Sequence, residues 1–390
     1  MELAAVDAIT AEELRAAGSV KWSIFPDSIG AFVAEMDFGV APSIRSALVS
    51  ALDKGLTGYL PPSLTAQLQL ETAEWCSRRY GWEVEPERVR PVADVIAALE
   101  LTIEHFTTPG SAVIVPTPSY MPFLTVPVLH GRRVIQVPHL EVDGRPRLDL
   151  EAIAAAFDDG GELFVLCNPH NPLGVVFTTE ELLELSVLVE AKGGRVFNDE
   201  IHAPLVYDGA RHVPYPSVSP AAAAHAVTAT AASKAWNLAG LKCAQLILTN
   251  DEDLARWKEV AGMAEHGAST LGVIATTAAY TTGGQWLDQV VEYLDGNRRL
   301  MLELAAELMP QVRVRAPEGT YIALLDFRDT GLQGDLGEYF RTHAGVAMTD
   351  GLACGEAGIG MTRFVFAMPR PVLREALGRV ADAVRTRAAA

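Results

Sequence analysis

Between residues 112 and 248 the chain carries six short runs of aliphatic and β-branched residues, separated by longer mixed segments. They are Ala112–Val115, Val134–Val137, Leu163–Leu166, Arg195–Phe197, Ala226–Ala229 and Gln245–Leu248. An apolar run without alternation marks a strand covered on both faces, and such strands usually come with helices between them. Thr179-Glu180-Glu181-Leu182-Leu183 supplies one such helix start, a polar cap followed by an acidic first turn. The pattern predicts an α/β fold built on a mainly parallel sheet sandwiched by helices. In sheets of this kind ligands sit beyond the C-terminal ends of the strands, so residues just past each run are the first candidates for chemistry.

After about Gln285 the pattern changes. Leu287, Val290, Val291, Leu294 and Leu302 follow a helical period. A strand-turn-strand stretch, Val312 to Phe327, comes next, then a helix near Tyr339 and a strand over Thr362–Phe366. This predicts a smaller α+β domain over 285–390 beside a large domain over 46–284. Residues 1–45, rich in turn signals, are expected to form an arm packing with the small domain. A chain of 390 residues is long enough for more than one structural unit.

Charge and composition exclude several classes. The formal net charge of −18 gives no basic face for nucleic acid or anionic lipid. No apolar stretch reaches the roughly 18–20 residues of a membrane span. Met1–Asp7 lacks the basic region and apolar core of a signal peptide, which predicts a cytoplasmic protein. Cys76, Cys167, Cys243 and Cys354 have neither metal-type nor redox-pair spacing, so they read as reduced packing residues.

Two segments past strand ends carry the strongest chemical signal. In Ser233-Lys234-Ala235-Trp236-Asn237 a lysine follows a run of small residues, placed to form a Schiff base. In Asn198-Asp199-Glu200-Ile201-His202 a carboxylate closes an earlier strand, placed to hold a pyridinium nitrogen. Both are parts of a pyridoxal 5′-phosphate (PLP) site: an amine to form the imine, and an anion that keeps the ring an electron sink. Cys167-Asn168-Pro169-His170-Asn171-Pro172-Leu173-Gly174 is a rigid turn, since proline fixes its own φ and restricts its predecessor. It presents the Asn171 amide as a donor to a phenolic oxygen. Pro116–Phe123 closes another strand and presents Tyr120 for stacking on a ring.

The order of Tyr120, the Asn-Pro-His-Asn-Pro turn, Asp-Glu-Ile-His, Ser-Lys and a late Arg363 resembles the fold-type I PLP enzymes, the aspartate aminotransferase superfamily, over nearly the whole chain. Val33–Phe38, Asn168–Pro172 and Ser233–Lys242 are most similar to the carbon–sulfur β-lyase branch, the actinobacterial cystathionine β-lyases in particular. The resemblance implies a sheet of the seven-stranded type and PLP as cofactor. It implies Lys234 as the Schiff-base lysine, Asp199 as the pyridinium partner, Asn171 and His202 near the ring oxygen, and Tyr120 on the ring face. Phosphate contacts are implied for the turn Ala93-Asp94-Val95 at a helix start, for Ser233 and for Lys242, which stands where relatives commonly have arginine. Two positions depart from the family: Asp94 brings a carboxylate where smaller residues are common, and Ala231 replaces a frequent serine. Arg363 matches the residue that grips the substrate carboxylate, for which a guanidinium fork is suited. Tyr59, after Gly58, matches a tyrosine reaching the neighbouring subunit's phosphate, which implies a homodimer with shared sites.

The expected activity is a PLP-dependent carbon–sulfur β-lyase that converts L-cystathionine or related S-substituted L-cysteines to a thiol, pyruvate and ammonia. The alternatives from the same residues are an aminotransferase and a PLP-binding regulatory protein. A small amino-acid substrate is expected, with no nucleic acid, membrane or metal.

Overall fold

The computed structural model describes residues 3–388. The outermost residues of the expected arm and small domain, 1–2 and 389–390, lie outside the described residues. Among the described residues the central feature is a seven-stranded sheet. Its strands are β1 (Val89–Val92), β2 (Ala112–Thr117), β3 (Val134–Pro138), β4 (Gly161–Cys167), β5 (Arg195–Asp199), β6 (Ala226–Thr230) and β7 (Ala244–Leu248), in the order β1-β7-β6-β5-β4-β2-β3. Strands β2 to β6 pair in parallel, and β7 is antiparallel to both its neighbours. All six runs read from the sequence are strands of this sheet. The seventh, β1, escaped because Val89-Arg90-Pro91-Val92 is short and contains proline, which a sheet tolerates at its edge. β7 returns antiparallel through residues 231–243, which hold turns and the short helix Ala239–Leu241 but no α-helix of the kind that usually carries a parallel crossover.

Each strand feeds two apolar layers. Leu163, Val165 and Cys167 of β4 enter one layer with Phe197, Leu246 and Trp257, while Phe164 and Leu166 enter the other with Ile153, Leu182 and Val189. This is the period-2 alternation of a strand with both faces buried. Helix α1 (Val95–Phe106) lies in the first layer, contributing Ala98, Leu99 and Ile103.

A second sheet gathers β8 (Arg313–Val314), β9 (Ile322–Asp326), β10 (Thr349–Asp350) and β11 (Met361–Val365), in the order β8-β9-β11-β10 with every pairing antiparallel. The long helix α2 (Gly284–Leu308) and the C-terminal α3 (Arg370–Ala388) share its core through Val290, Leu294, Met301, Phe364, Leu373 and Val380. The same core takes in Trp22 and Met36 from the N-terminal segment and Trp236 from beside Lys234.

The N-terminal segment is more regular than its turn signals suggested. Short helices span Leu3–Asp7, Ala11–Ala17 and Val20–Ser23. The second has a reciprocal cap: Thr10 Oγ1 accepts from the Glu13 amide and Glu13 Oε2 accepts from the Thr10 amide, while Gly18 at φ 73° ends the helix. Ile29–Gly30 then pairs in parallel with Val346–Ala347. From there residues 31–38 cross as a strap. The Val365 amide donates to Ala31 O at one end, and at the other the Asn237 side chain bonds both backbone groups of Met36. The strap thus ties β11 to the loop that carries Lys234.

Candidate active site

Two cavities compete for attention. The larger, about 640 Å³, lies between Thr57–Leu60 and Ala261–Leu271 and includes Tyr59, Glu265 and His266. The smaller, about 180 Å³, opens at the C-terminal end of the parallel strands and is lined by Ala34, Ala93, Asp94, Val95, Ile96, Tyr120, Asn171, Asp199, Ile201, His202, Ser233, Lys234 and Lys242, among others. Ten of the twelve residues expected from the sequence converge on the smaller one. The strand-end position and the buried ionisable groups make it the candidate for the chemistry.

Its floor is the end of β5. Asp199 stands in register beside Cys167 of β4 and is buried. Its Oδ1 accepts from the Ile201 amide at 3.0 Å, and its Oδ2 lies 3.8 Å from the Cys167 thiol. Burial pushes the carboxyl up to about 7, with the Ile201 amide and the Lys234 charge working against that rise. Lys234 faces it from the loop after β6. Its Nζ donates to Ala34 O at 3.0 Å, and burial, with the positive charge of Arg363, lowers the amine to about 8. Neither residue forms an ion pair within 4 Å among the described residues.

Arg363, on β11, is buried rather than a surface residue of its strand. Its Nε donates to Asn171 Oδ1 at 3.0 Å and its Nη1 to Phe32 O at 2.8 Å. These two bonds fix the guanidinium plane and leave the Asn171 amide nitrogen available. Tyr120 directly precedes helix Met121–Leu129, and burial raises its phenol. His202 is buried, with no hydrogen-bond partner on Nδ1, and burial holds its imidazole well below the usual histidine range.

The opposite wall sets a helix start beside an ion pair. Asp94 caps α1, its Oδ1 accepting from the Ala97 amide at 2.8 Å, and its Oδ2 accepts from Lys242 Nζ at 2.7 Å. Burial works to raise Asp94, but the lysine and the amide outweigh it and hold the carboxyl below the usual range. Lys242 occupies the left-handed region at φ 51°, a conformation that costs a non-glycine residue energy and sets the direction of its side chain.

Tyr59 is the residue the structure does not bring in. It is 87% exposed, sits beside His266 with ring centroids 5.6 Å apart and ring planes tilted by 43°, and lines the larger cavity. Sequence reasoning singled out Val33–Phe38 as a resemblance but gave the strap no part in the site. Ala34 O accepts from both Lys234 Nζ and the Tyr321 hydroxyl, the latter at 2.9 Å, and Phe32 O accepts from Arg363. Backbone carbonyls carry no side-chain signature. The Cys167 contact had a readable sign in its place next to Asn168 at the end of a strand.

Comparison with known proteins agrees with this geometry. The family model for aminotransferase class I and II matches residues 30–380. The chain is 41% identical to the cystathionine beta-lyase of Corynebacterium glutamicum, covering 95% of this chain and 98% of that protein. It is 33% identical to the cystathionine beta-lyase PatB of Bacillus subtilis, over 96% and 98% of the two chains. Among solved structures, cystalysin from Treponema denticola, which contains pyridoxal 5′-phosphate, superposes with a TM-score of 0.90 at 28% identity, over 97% of this chain and 98% of that one. The chain belongs to the class I and II aminotransferase family.

Proposed function

We propose that the chain is a PLP-dependent carbon–sulfur β-lyase that cleaves L-cystathionine or a related S-substituted L-cysteine to a thiol, pyruvate and ammonia. The observation that carries the reading is the 41% identity to a cystathionine beta-lyase over 95% of the chain.

The donor set of the small cavity fits the cofactor. A cation and a helix start stand at one wall, a buried carboxylate with one oxygen free of strong donors lies on the floor, an amine stands between them, and the orphaned His202 Nδ1 lines the same space. Lys242, Ser233 and the Ala93–Val95 turn would hold its phosphate, Tyr120 its ring face, and Asn171 with His202 its phenolic oxygen. Bound there, the cofactor supplies a carbonyl that condenses with amines and a ring that takes up the electrons released at the substrate's Cα. Asp199 holds a proton on the ring nitrogen, and that added cation draws its carboxyl back toward the ionised state. Lys234 Nζ would be the group to take the Cα proton, a task its depressed basicity near 8 suits. Arg363, its plane fixed by Asn171 and Phe32, pairs with the substrate carboxylate. Asp199 and Arg363 are buried and Lys234 is half-buried, which limits the competition from water for these protons.

Three further parts belong to the proposal. The cofactor domain is 46–284, containing the seven-stranded sheet. The small domain is 285–390, and residues 1–45 form the arm. The active unit is a homodimer in which the exposed Tyr59 reaches the partner's phosphate site, and the enzyme works in the cytoplasm. No helix among the described residues is long and apolar enough to cross a membrane.

The test is turnover of L-cystathionine by the PLP-loaded protein without any keto acid. Sustained release of pyruvate, ammonia and homocysteine is expected, because elimination returns the cofactor to its starting form. Turnover that stalls after one equivalent and resumes only with a keto acid assigns an aminotransferase instead. Mixing inactive Lys234→Ala and Tyr59→Ala subunits tests the dimer: regained activity is expected, and none after verified subunit exchange places Tyr59 outside the partner's site.

A further inference from the structure

Lys21 and Asp37 form a buried ion pair outside the cavity. Lys21 Nζ donates to Asp37 Oδ2 at 2.8 Å, to Ala367 O at 3.1 Å and to Glu35 O at 3.3 Å, and both side chains are almost wholly inaccessible. Asp37 Oδ1 accepts from Trp22 Nε1 at 2.9 Å, and the Asp37 amide donates to Ala367 O. Gly30 makes room for this arrangement: a Cβ there would come within 2.1 Å of Lys21 O and 2.9 Å of Lys21 Cγ. Residues 20–22, the strap's entry at Gly30 and its exit at Asp37 are therefore locked together, with 31–36 as the span between.

That span supplies the two carbonyls that hold the site's cations. Phe32 O accepts from Arg363 Nη1 and Ala34 O from Lys234 Nζ. Neither contact depends on a strap side chain, so the position of the strap's backbone decides both. The backbone is held at β11 by Ala31, at Asn237 by Met36, and at its far end by the Lys21 ammonium, which bonds both Glu35 O and Asp37.

We propose that Lys21 is a positioning residue for the reaction, acting through Asp37 and the strap on Lys234 and Arg363 at once. The inference rests on the reading of those two residues as the cofactor lysine and the carboxylate grip. A shift of the strap loosens the amine that must meet the cofactor and rotates the guanidinium that must meet the substrate. A misplacement of about 1 Å at a reacting centre costs on the order of 10²-fold in rate.

The experiment compares PLP-loaded wild type, Lys21→Met and Asp37→Asn. Asp37→Asn keeps the side-chain shape and an oxygen for Trp22 but leaves the Lys21 ammonium facing an amide nitrogen. The Lys21→Met/Asp37→Leu double variant, which buries no unpaired charge, is therefore read alongside in case either single variant fails to fold. Val189→Ala, which trims the apolar layer over β4 far from the strap, serves as a control for general loosening. Two quantities are read well below every melting temperature: the induced circular dichroism of the bound cofactor, and KM separately from kcat with an S-substituted cysteine. The strap variants are expected to weaken and shift the dichroic band and to raise KM about tenfold, each tenfold corresponding to about 1.4 kcal/mol, while Val189→Ala leaves the band and KM as in wild type. Strap variants with the wild-type band and KM overturn the inference, and so does a control that reproduces their changes. A wild type showing no cofactor band at all instead overturns the underlying assignment of Lys234.

Discussion

The molecule withdraws two sets of lysine and aspartate from solvent, Lys21 with Asp37 almost completely and Asp199 with a half-buried Lys234, and treats them in opposite ways. In the strap anchor, the three protons of the Lys21 ammonium meet three acceptors, and each oxygen of Asp37 meets a donor. In the active site Lys234 Nζ has one carbonyl, and Asp199 has one amide and a distant thiol. Burial raises the carboxyl in both places, but at Asp37 the Lys21 charge and two side-chain hydrogen bonds pull against it. At Asp199 the Ile201 amide, the Lys234 charge and the Cys167 thiol oppose burial without an ion pair among the described residues, and the group still rises to about 7, while burial and the Arg363 charge take the facing amine down to about 8. A buried charge that is fully paired is a structural fastener. One left short of partners is poised to exchange protons or accept a ligand's charge.

The largest expected effect breaks the reactive set. Lys234→Ala removes the amine that moves the Cα proton, and turnover should fall by about 10⁴-fold, the upper range for loss of a general base. The protein should still fold, since Lys234 contributes only the bond to Ala34 O. Mass spectrometry after borohydride reduction should find the cofactor attached in wild type and not in the variant. Attachment at another lysine of the variant places the amine elsewhere.

Breaking the fastener moves stability instead. Lys21→Met leaves Asp37 buried without its counter-charge, and loss of one partner of a buried pair costs about 3–5 kcal/mol. Replacing both, as Lys21→Met with Asp37→Leu, removes the orphaned charge and should recover most of that loss. Denaturant unfolding of the single and double variants measures this. A double variant no more stable than the single one shows that the strap depends on the pair's shape and hydrogen bonds rather than on cancelling charge.

The same contrast explains what the sequence made legible. Strand ends are readable because apolar runs stop there, and within a few positions of each end comes a polar residue that the topology can bring to the site: Asp199 after Val196–Phe197, Asn171 after Leu163–Leu166, Lys234 after Ala226–Ala229. The sheet order then brings them together without further information. Asp37 stood out only as part of the Val33–Phe38 resemblance and Lys21 not at all, because their meaning depends on Gly30 and on Ala367, 346 positions from Lys21. The strap's carbonyls were out of reach of any reading based on side chains. The antiparallel β7 was hidden because burial on both faces gives one apolar run whichever way a strand points.

Asp199→Asn sharpens the comparison in both currencies, rate and stability. It keeps an oxygen for the Ile201 amide but removes the anion that holds the ring proton, and turnover should fall about 10²–10³-fold, as when an electrostatic stabiliser of developing charge is lost. In the cofactor-free protein the same change should stabilise the fold over a defined pH window. The wild-type carboxyl titrates near 3.8 when unfolded and about 7 when folded. Between those values the folded state keeps a proton that the unfolded state has released, so wild-type stability falls as pH rises through the window and is lowest above it. At about 1.4 kcal/mol per pH unit the loss by pH 7.5 is at most about 4 kcal/mol. Asparagine does not titrate and escapes this loss. Melting temperatures of the two proteins should therefore diverge from pH 4 to pH 7, with the variant higher, and run parallel just beyond. Lys234, which titrates near 8, stays protonated across most of that window and contributes little to the divergence. A difference that is flat from pH 4 to 7.5, or that favours the wild type throughout, means that Asp199 is as well paired as Asp37 and that the contrast between the two sets does not hold.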